Sequence, residues 1–220
     1  MSKLRLLIFD LDGTLVDSVE DYQISVNRLM REEDLPKLTR DQVAQGLGHG
    51  LRSMVKGLFP HFKEHPQKLH DIEERFLRYY LEEDCIKKTK LYPGVIEFLK
   101  TWTGHLALVT NKSVEPTRKI MSHLKLDQFH WSSVFGYESL PERKPSAFPL
   151  LEAMKRVATE PHETLMIGDG IPDLRAAHNA GVRSVIATFG YTSSDLILPH
   201  QPTKMFSSYQ ELHQIIAELE

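Results

Sequence analysis

The chain has 220 residues, 27 Lys+Arg against 30 Asp+Glu, and a formal net charge of −3 with histidine neutral. A 41% hydrophobic and 26% charged composition is that of an ordinary globular protein, neither disordered nor fibrous. The near-balanced charge gives no electrostatic footprint for nucleic acid or an anionic membrane, and no apolar run approaches the roughly 20 residues of a membrane span. The single cysteine, Cys85, excludes an internal disulfide framework and a cysteine-based zinc cluster. The opening apolar run is too short for a signal-peptide core, so a cytoplasmic protein is expected.

Residues 4–9 form a continuous apolar run that breaks into Asp10-Leu11-Asp12-Gly13-Thr14, the pattern of a buried parallel strand ending in a functional loop. From residue 17 to about 89 no convincing strand is seen. A helix capped by Asp17 or Ser18 runs through Tyr22, Val26 and Leu29, and a second spans about 66–87 with Leu69, Ile72, Phe76 and Tyr80 on one face. Gly46, Gly48 and Gly50 mark a loop between them. Helix and strand then alternate. The Tyr92-Pro93-Gly94 turn starts a helix over 95–101, and strands are expected at 105–109, 131–135, 164–167 and 182–188. Helices are expected at 113–124, 147–157 and 171–180, the last stopped by Gly181, with a terminal amphipathic helix at 207–220. The expected fold is therefore α/β: a Rossmann-like parallel sheet flanked by helices, with a small all-helical domain inserted after the first strand. The implied division is 1–16 and 88–220 for the core, and 17–87 for the helical insertion.

Four polar clusters follow expected strands or precede helices: Asp10-x-Asp12-Gly13-Thr14, Thr110-Asn111-Lys112, Lys144-Pro145 and Gly168-Asp169-Gly170-x-x-Asp173. In a parallel sheet these meet at the carboxyl edge, where ligands bind. Carboxylates clustered in a low-dielectric crevice require compensation, and all-oxygen ligation suits Mg²⁺, which also binds phosphate. Lys144, the Thr110 hydroxyl and loop N–H groups can hold phosphate oxygens. These pieces fit phosphoryl chemistry.

The segment Phe9-Asp10-Leu11-Asp12-Gly13-Thr14-Leu15-Val16-Asp17-Ser18 resembles the first motif of the haloacid dehalogenase-like hydrolase superfamily. Val109-Thr110-Asn111-Lys112 resembles its second motif, Arg143-Lys144-Pro145 its third, and Met166-Ile167-Gly168-Asp169-Gly170-Ile171-Pro172-Asp173 its fourth. The resemblance runs the length of the chain. Within the superfamily it points to the phosphoglycolate phosphatase-like group, through Thr110-Asn111-Lys112, the stretch 140–145 and the loop 46–50.

The resemblance implies that Asp10 is the nucleophile, forming an aspartyl phosphate, and that Asp12 protonates the leaving alkoxide and later deprotonates water. In an extended segment their period-two spacing would put both on one side. It further implies Mg²⁺ held by Asp10, the Asp12 backbone carbonyl and Asp169, with Asp173 supporting the metal or the lysine. Thr110, Asn111 and Lys144 would bind the phosphate, and His49 and Arg52 of the glycine-broken loop would reach the substrate. The chain departs from the pattern at Gly170, where relatives commonly have Ser, and in lacking a proline-rich continuation after Pro145.

Plainer readings exist for several residues. Acidic residues at strand ends serve as turn or cap residues in many proteins, and Asn111 suits a turn. His61 and His65 have i, i+4 spacing, but Pro66 follows and no third ligand is spaced for zinc, so surface histidines are expected. Cys85 and the aromatics Phe76, Tyr79 and Tyr80 read as structural. The sequence thus indicates a Mg²⁺-dependent phosphatase for a small phosphorylated metabolite, acting as monomer or homodimer. A sugar phosphomutase using the same nucleophile is the alternative. Asp12 argues against dehalogenation, and retention of Asp10, Asp12, Lys144 and Asp169 argues against a non-catalytic role.

Overall fold

A computed structural model describes residues 3–47, 51–82 and 86–220. The chain opens with β1 (Leu6–Phe9), all four residues fully buried, and turns through a short β2 (Val16–Asp17). Four helices follow: α1 (Val19–Glu32), α2 (Arg40–Gly46), α3 (Leu51–Leu58) and α4 (Pro66–Glu82). The chain returns through β3 (Lys90–Leu91) and then alternates: α5 (Val95–Thr101), β4 (His105–Val109), α6 (Val114–His123), β5 (Trp131–Phe135), α7 (Phe148–Val157) and β6 (Thr164–Gly168). It closes with α8 (Ile171–Ala180), β7 (Arg183–Ala187), α9 (Ser194–Ile197), β8 (Lys204–Phe206) and α10 (Tyr209–Leu219).

The six-stranded sheet has the order β5-β4-β1-β6-β7-β8, and every pairing in it is parallel. Because β1 lies between β4 and β6, the three loops leaving those strands emerge side by side. Side chains alternate across the sheet. Leu7 and Phe9 enter one core layer with α5, α6 and α10, whereas Leu6 and Ile8 enter the other with α7 and α8. Burial on both faces explains why β1 and β6 are continuous apolar runs.

The inserted helices carry a core of their own. On α1, Val19, Tyr22, Val26, Leu29 and Met30 recur at helical spacing and meet Leu69, Ile72, Phe76 and Tyr80 of α4. Arg75 of α4 ties the two helices at their far end, 2.7 Å from Glu32 and 2.6 Å from Glu33. Nearer the sheet, buried Asp21 of α1 accepts bonds from the Thr89 N–H and hydroxyl, both at 2.6 Å.

Several features differ from the sequence-based expectation. The edge strand β8 is absent from it, since Lys204-Met205-Phe206 is short and only Phe206 is buried. The chain between β1 and β2 is also not extended: the N–H groups of Thr14, Leu15 and Val16 all reach back to the Leu11 carbonyl. Among the described residues, α4 stops at Glu82, and Cys85 lies outside them.

Candidate active site

The carboxyl ends of β1, β4 and β6 bring Asp10, Thr110 and Asp169 to one edge of the sheet. The Asp10 N–H donates to the Ile167 carbonyl at 2.9 Å, continuing the β1–β6 ladder one residue past the strand and fixing the base of its side chain. Lys144 enters from the loop before α7, following which the Lys144–Pro145 peptide is cis. Its ammonium lies 2.9 Å from Asp10 Oδ1 and 2.6 Å from Asp173 Oδ1, with all three side chains buried. The other oxygen of Asp173 accepts the N–H groups of Asp169 (3.2 Å) and Gly170 (3.0 Å), closing the first turn of α8. Asp169 in turn accepts the Tyr191 N–H at 2.7 Å and lies 3.4 Å from the Thr14 hydroxyl.

Two glycines make room for Asp169. A Cβ on Gly13, where φ is +79°, would fall 2.2 Å from an Asp169 oxygen, and one on Gly190 would fall equally close to its Cβ. The backbone thus wraps the carboxylate at a distance that a side chain forbids.

The electrostatics of this cluster are unbalanced. Asp10, Asp169 and Asp173 present carboxylate oxygens within 4.8 Å of one another, and Lys144 is the cation bonded among them. Burial, with the Asp173 charge added, pushes Asp10 up to about 6 against the opposing pull of Lys144. Burial and the charges of Asp173 and Asp10 push Asp169 well above the ordinary range as well. Burial works against the Lys144 ammonium, yet the two carboxylates raise its pKa overall. Three acids facing one lysine fit a divalent cation, whose two charges would offset the excess, and the all-oxygen donor set suits a hard ion of the Mg²⁺ class.

Asp12 stands apart from this group. Its carboxylate accepts the Ser18 hydroxyl at 2.5 Å and faces the Lys112 ammonium at 3.2 Å. The two motif aspartates therefore each have their own lysine, Lys144 for Asp10 and Lys112 for Asp12. Thr110 is buried, with its Oγ1 accepting the Lys112 N–H at 3.2 Å, and Asn111 donates to the Lys144 carbonyl at 3.0 Å, linking the loops after β4 and before α7. A cleft of about 510 Å³ opens over Asn111 and Lys144, between Ser53 of α3 and Arg143, Pro172 and Arg175 of the core. A larger cleft, about 630 Å³, lies at the opposite edge among Lys3, Arg5, Trp102 and His105 and contains none of the motif residues.

Of the remaining sequence candidates, His49 lies outside the described residues. Arg52 falls within α3, and its side chain is also outside them. The His61–His65 spacing does not lie on an α-helical face, because Pro60–Phe62 is a 3₁₀ turn. Sequence reasoning missed three contributors. Lys112 was visible beside Thr110 and Asn111 but had no assigned partner. Ser18 was read as a helix cap only. Tyr191, whose N–H bonds Asp169 and whose hydroxyl accepts the Ser18 N–H at 2.9 Å, carries no local signal at all.

Comparison with known proteins places this geometry. A sequence model of the family described as haloacid dehalogenase-like hydrolase matches residues 7–187. The chain belongs to the haloacid dehalogenase-like hydrolases. It is similar to the phosphoglycolate phosphatase of Mannheimia succiniciproducens, 34% identical over 98% of this chain and 99% of that protein. Phosphoglycolate phosphatase 1 of Pseudomonas aeruginosa is also 34% identical, over 94% of this chain and 78% of that protein. Among solved structures, that of a predicted phosphoglycolate phosphatase from Haemophilus somnus superposes with a TM-score of 0.86 at 30% identity, covering 98% of this chain and 99% of that one. Within the family, this hydrolase thus resembles the phosphoglycolate phosphatase-like group. Among the described residues, no helix is long and apolar enough to cross a membrane.

Proposed function

We propose that this hydrolase is a Mg²⁺-dependent phosphatase, acting in the cytoplasm on a small phosphate monoester through an aspartyl phosphate on Asp10. The names of its relatives make phosphoglycolate the first substrate to test. The observation that carries the reading is the buried Asp10–Lys144–Asp173 chain beside Asp169, an anion excess at the end of the central strand.

Asp10 and Asp169 would hold Mg²⁺ together with the Asp12 backbone carbonyl, and Asp173 backs them by holding Lys144 and the β6–α8 turn. Bound there, the metal would neutralise phosphate charge and favour the ionised form of Asp10. An Asp10 oxygen attacks phosphorus as the bond to the leaving oxygen breaks, and Asp12 supplies that oxygen with a proton. In the second displacement Asp12 takes a proton from water, whose oxygen attacks phosphorus and breaks the bond to Asp10. Lys144, Thr110 and Asn111 bind the phosphoryl oxygens and stabilise charge that develops on them. The segment 17–87 acts as a cap, with the core formed by 1–16 and 88–220. Closed over the core, it excludes water and reads the leaving group, a task in which His49 and Arg52 take part.

The test is inorganic phosphate release from a panel of phosphate esters, with Mg²⁺, with EDTA, and with Asp10→Asn. Expected is metal-dependent release that the variant loses by a factor of about 10⁴ or more. Isomerised sugar phosphate without phosphate release would instead establish the mutase, and no turnover of any ester would overturn both.

A further inference from the structure

The reaction scheme leaves one buried cation without a task. Lys112 follows β4 in the core, and its side chain is 1% exposed. Its ammonium donates to the hydroxyls of Tyr22 and Tyr80, both at 2.9 Å, and faces the Asp12 oxygens at 3.2 and 3.3 Å. A buried ammonium needs acceptors for its three protons, and here three side chains supply them. The two phenol rings also flank it, with centroids 4.2 and 4.8 Å from the nitrogen.

The origin of these partners is what matters. Tyr22 sits on α1 and Tyr80 on α4, and their rings pack together with centroids 4.6 Å apart. Asp12, by contrast, belongs to the loop after β1. Lysine therefore bridges the inserted helices to the core. Another contact to Asp12 comes from Ser18, which stands at the N-terminal end of α1 and gives its hydroxyl to Asp12 instead of to the helix. Both grips on the Asp12 carboxylate are thus set by where α1 sits: one through Ser18, the other through Tyr22 and Lys112.

We propose that Lys112 is a positioning residue through which Tyr22 and Tyr80 make proton delivery by Asp12 depend on the seating of the helical insertion. This rests on the role given to Asp12 above. Lys112 holds the carboxylate and does not bind substrate, because its protons are already directed at protein acceptors. Without it, Asp12 keeps the Ser18 contact but loses the ammonium that fixes its orientation.

The test compares kcat/KM for an alkyl ester, phosphoglycolate, with that for 4-nitrophenyl phosphate, whose nitrophenolate departs without needing a proton. This ratio reports the first displacement alone, so the later use of Asp12 as a base does not enter. In the full chain with Mg²⁺, Lys112→Met is expected to lower the alkyl ester value about 100-fold and the aryl ester value less than about fivefold. Tyr22→Phe combined with Tyr80→Phe, which keeps both rings and every charge, should shift the two substrates apart in the same direction. Equal losses on both esters, or no loss on either, would overturn the proposal. Should Lys112→Met fail to fold, the tyrosine pair decides alone. Asp12→Asn separates the two levels: if it does not discriminate between the esters, the acid role of Asp12 fails; if it does and the Lys112 and tyrosine variants do not, only the coupling fails.

Discussion

Removing the Asp10 charge should stabilise the metal-free protein while destroying its activity. Asp10 binds its proton more tightly in the folded state, at about 6 against an ordinary 3.8, and that value already nets the Lys144 attraction against burial. A raised carboxylate contributes stability below its unfolded value and loses it as pH rises through the folded one. Metal-free protein should therefore lose stability between about pH 4 and pH 6, by about 3 kcal/mol from Asp10 alone. For a chain of this size that corresponds to roughly 6–12 °C in Tm. Asp169 shifts in the same direction, partly through the Asp10 charge, so Asp10→Asn removes the Asp10 contribution and relieves part of that of Asp169 with it. Thermal unfolding in EDTA from pH 4 to 8 should show the two nearly equal at pH 4 and the variant several degrees more stable at pH 7.5. Saturating Mg²⁺, at about 100 times its Kd, should return about 2.7 kcal/mol to the wild type and less to the variant, which lacks one ligand. Parallel Tm curves across the whole pH range in EDTA would refute the argument that the cluster is an uncompensated anion.

Gly13→Ala combines a left-handed φ of +79° with a Cβ that would fall 2.2 Å from Asp169. It should cost about 1 kcal/mol or more from backbone conformation alone, and abolish the Mg²⁺-dependent rise in Tm. Arg75→Ala tests the insertion instead of the site. Hydrogen bonds from Arg75 hold Glu32 below its ordinary 4.5, and at Glu33 bonds from Arg75 and Lys68 prevail over burial to lower it too. Lowered carboxylates stabilise above that value and lose the contribution as pH falls through their lowered folded-state values. The variant should therefore be weaker by about 1 kcal/mol at pH 7, with the gap to wild type shrinking progressively below about pH 4.5, measured by urea denaturation.

How far the sequence could be read depends on the range of the interactions involved. The buried strands announced themselves because β1 and β6 are apolar on both faces, and α8 because Gly181 stops it. The loops at adjacent strand ends follow from parallel topology, which is why the sequence alone groups Asp10, Thr110, Lys144, Asp169 and Asp173. What escaped was either too short or too distant. β8 offers a single buried side chain, and β2 and β3 have two residues each. The bend at Leu11 was hidden because period-two reasoning presumes extended backbone. Tyr80 and Tyr22 were read as core aromatics, which their rings are, but their hydroxyls reach a lysine 32 and 90 residues away. Tyr191 meets Ser18 across 173 residues. No local pattern encodes such contacts; they arise only once the insertion is seated on the sheet.

The pairing of β2 with β3 has a consequence for how such a protein can change. Val16 lies opposite Leu91 and Asp17 opposite Lys90, so the chain leaves the core and rejoins it at neighbouring points. Antiparallel partners lie about 5 Å apart at Cα, a gap that a tight turn can bridge as readily as four helices. Whatever is spliced between those two strands, β1 and its carboxylate need not move. The insertion is thus an exchangeable cassette as far as β1, Asp10 and Asp169 are concerned, but any replacement would have to bring its own support for Lys112 and Asp12.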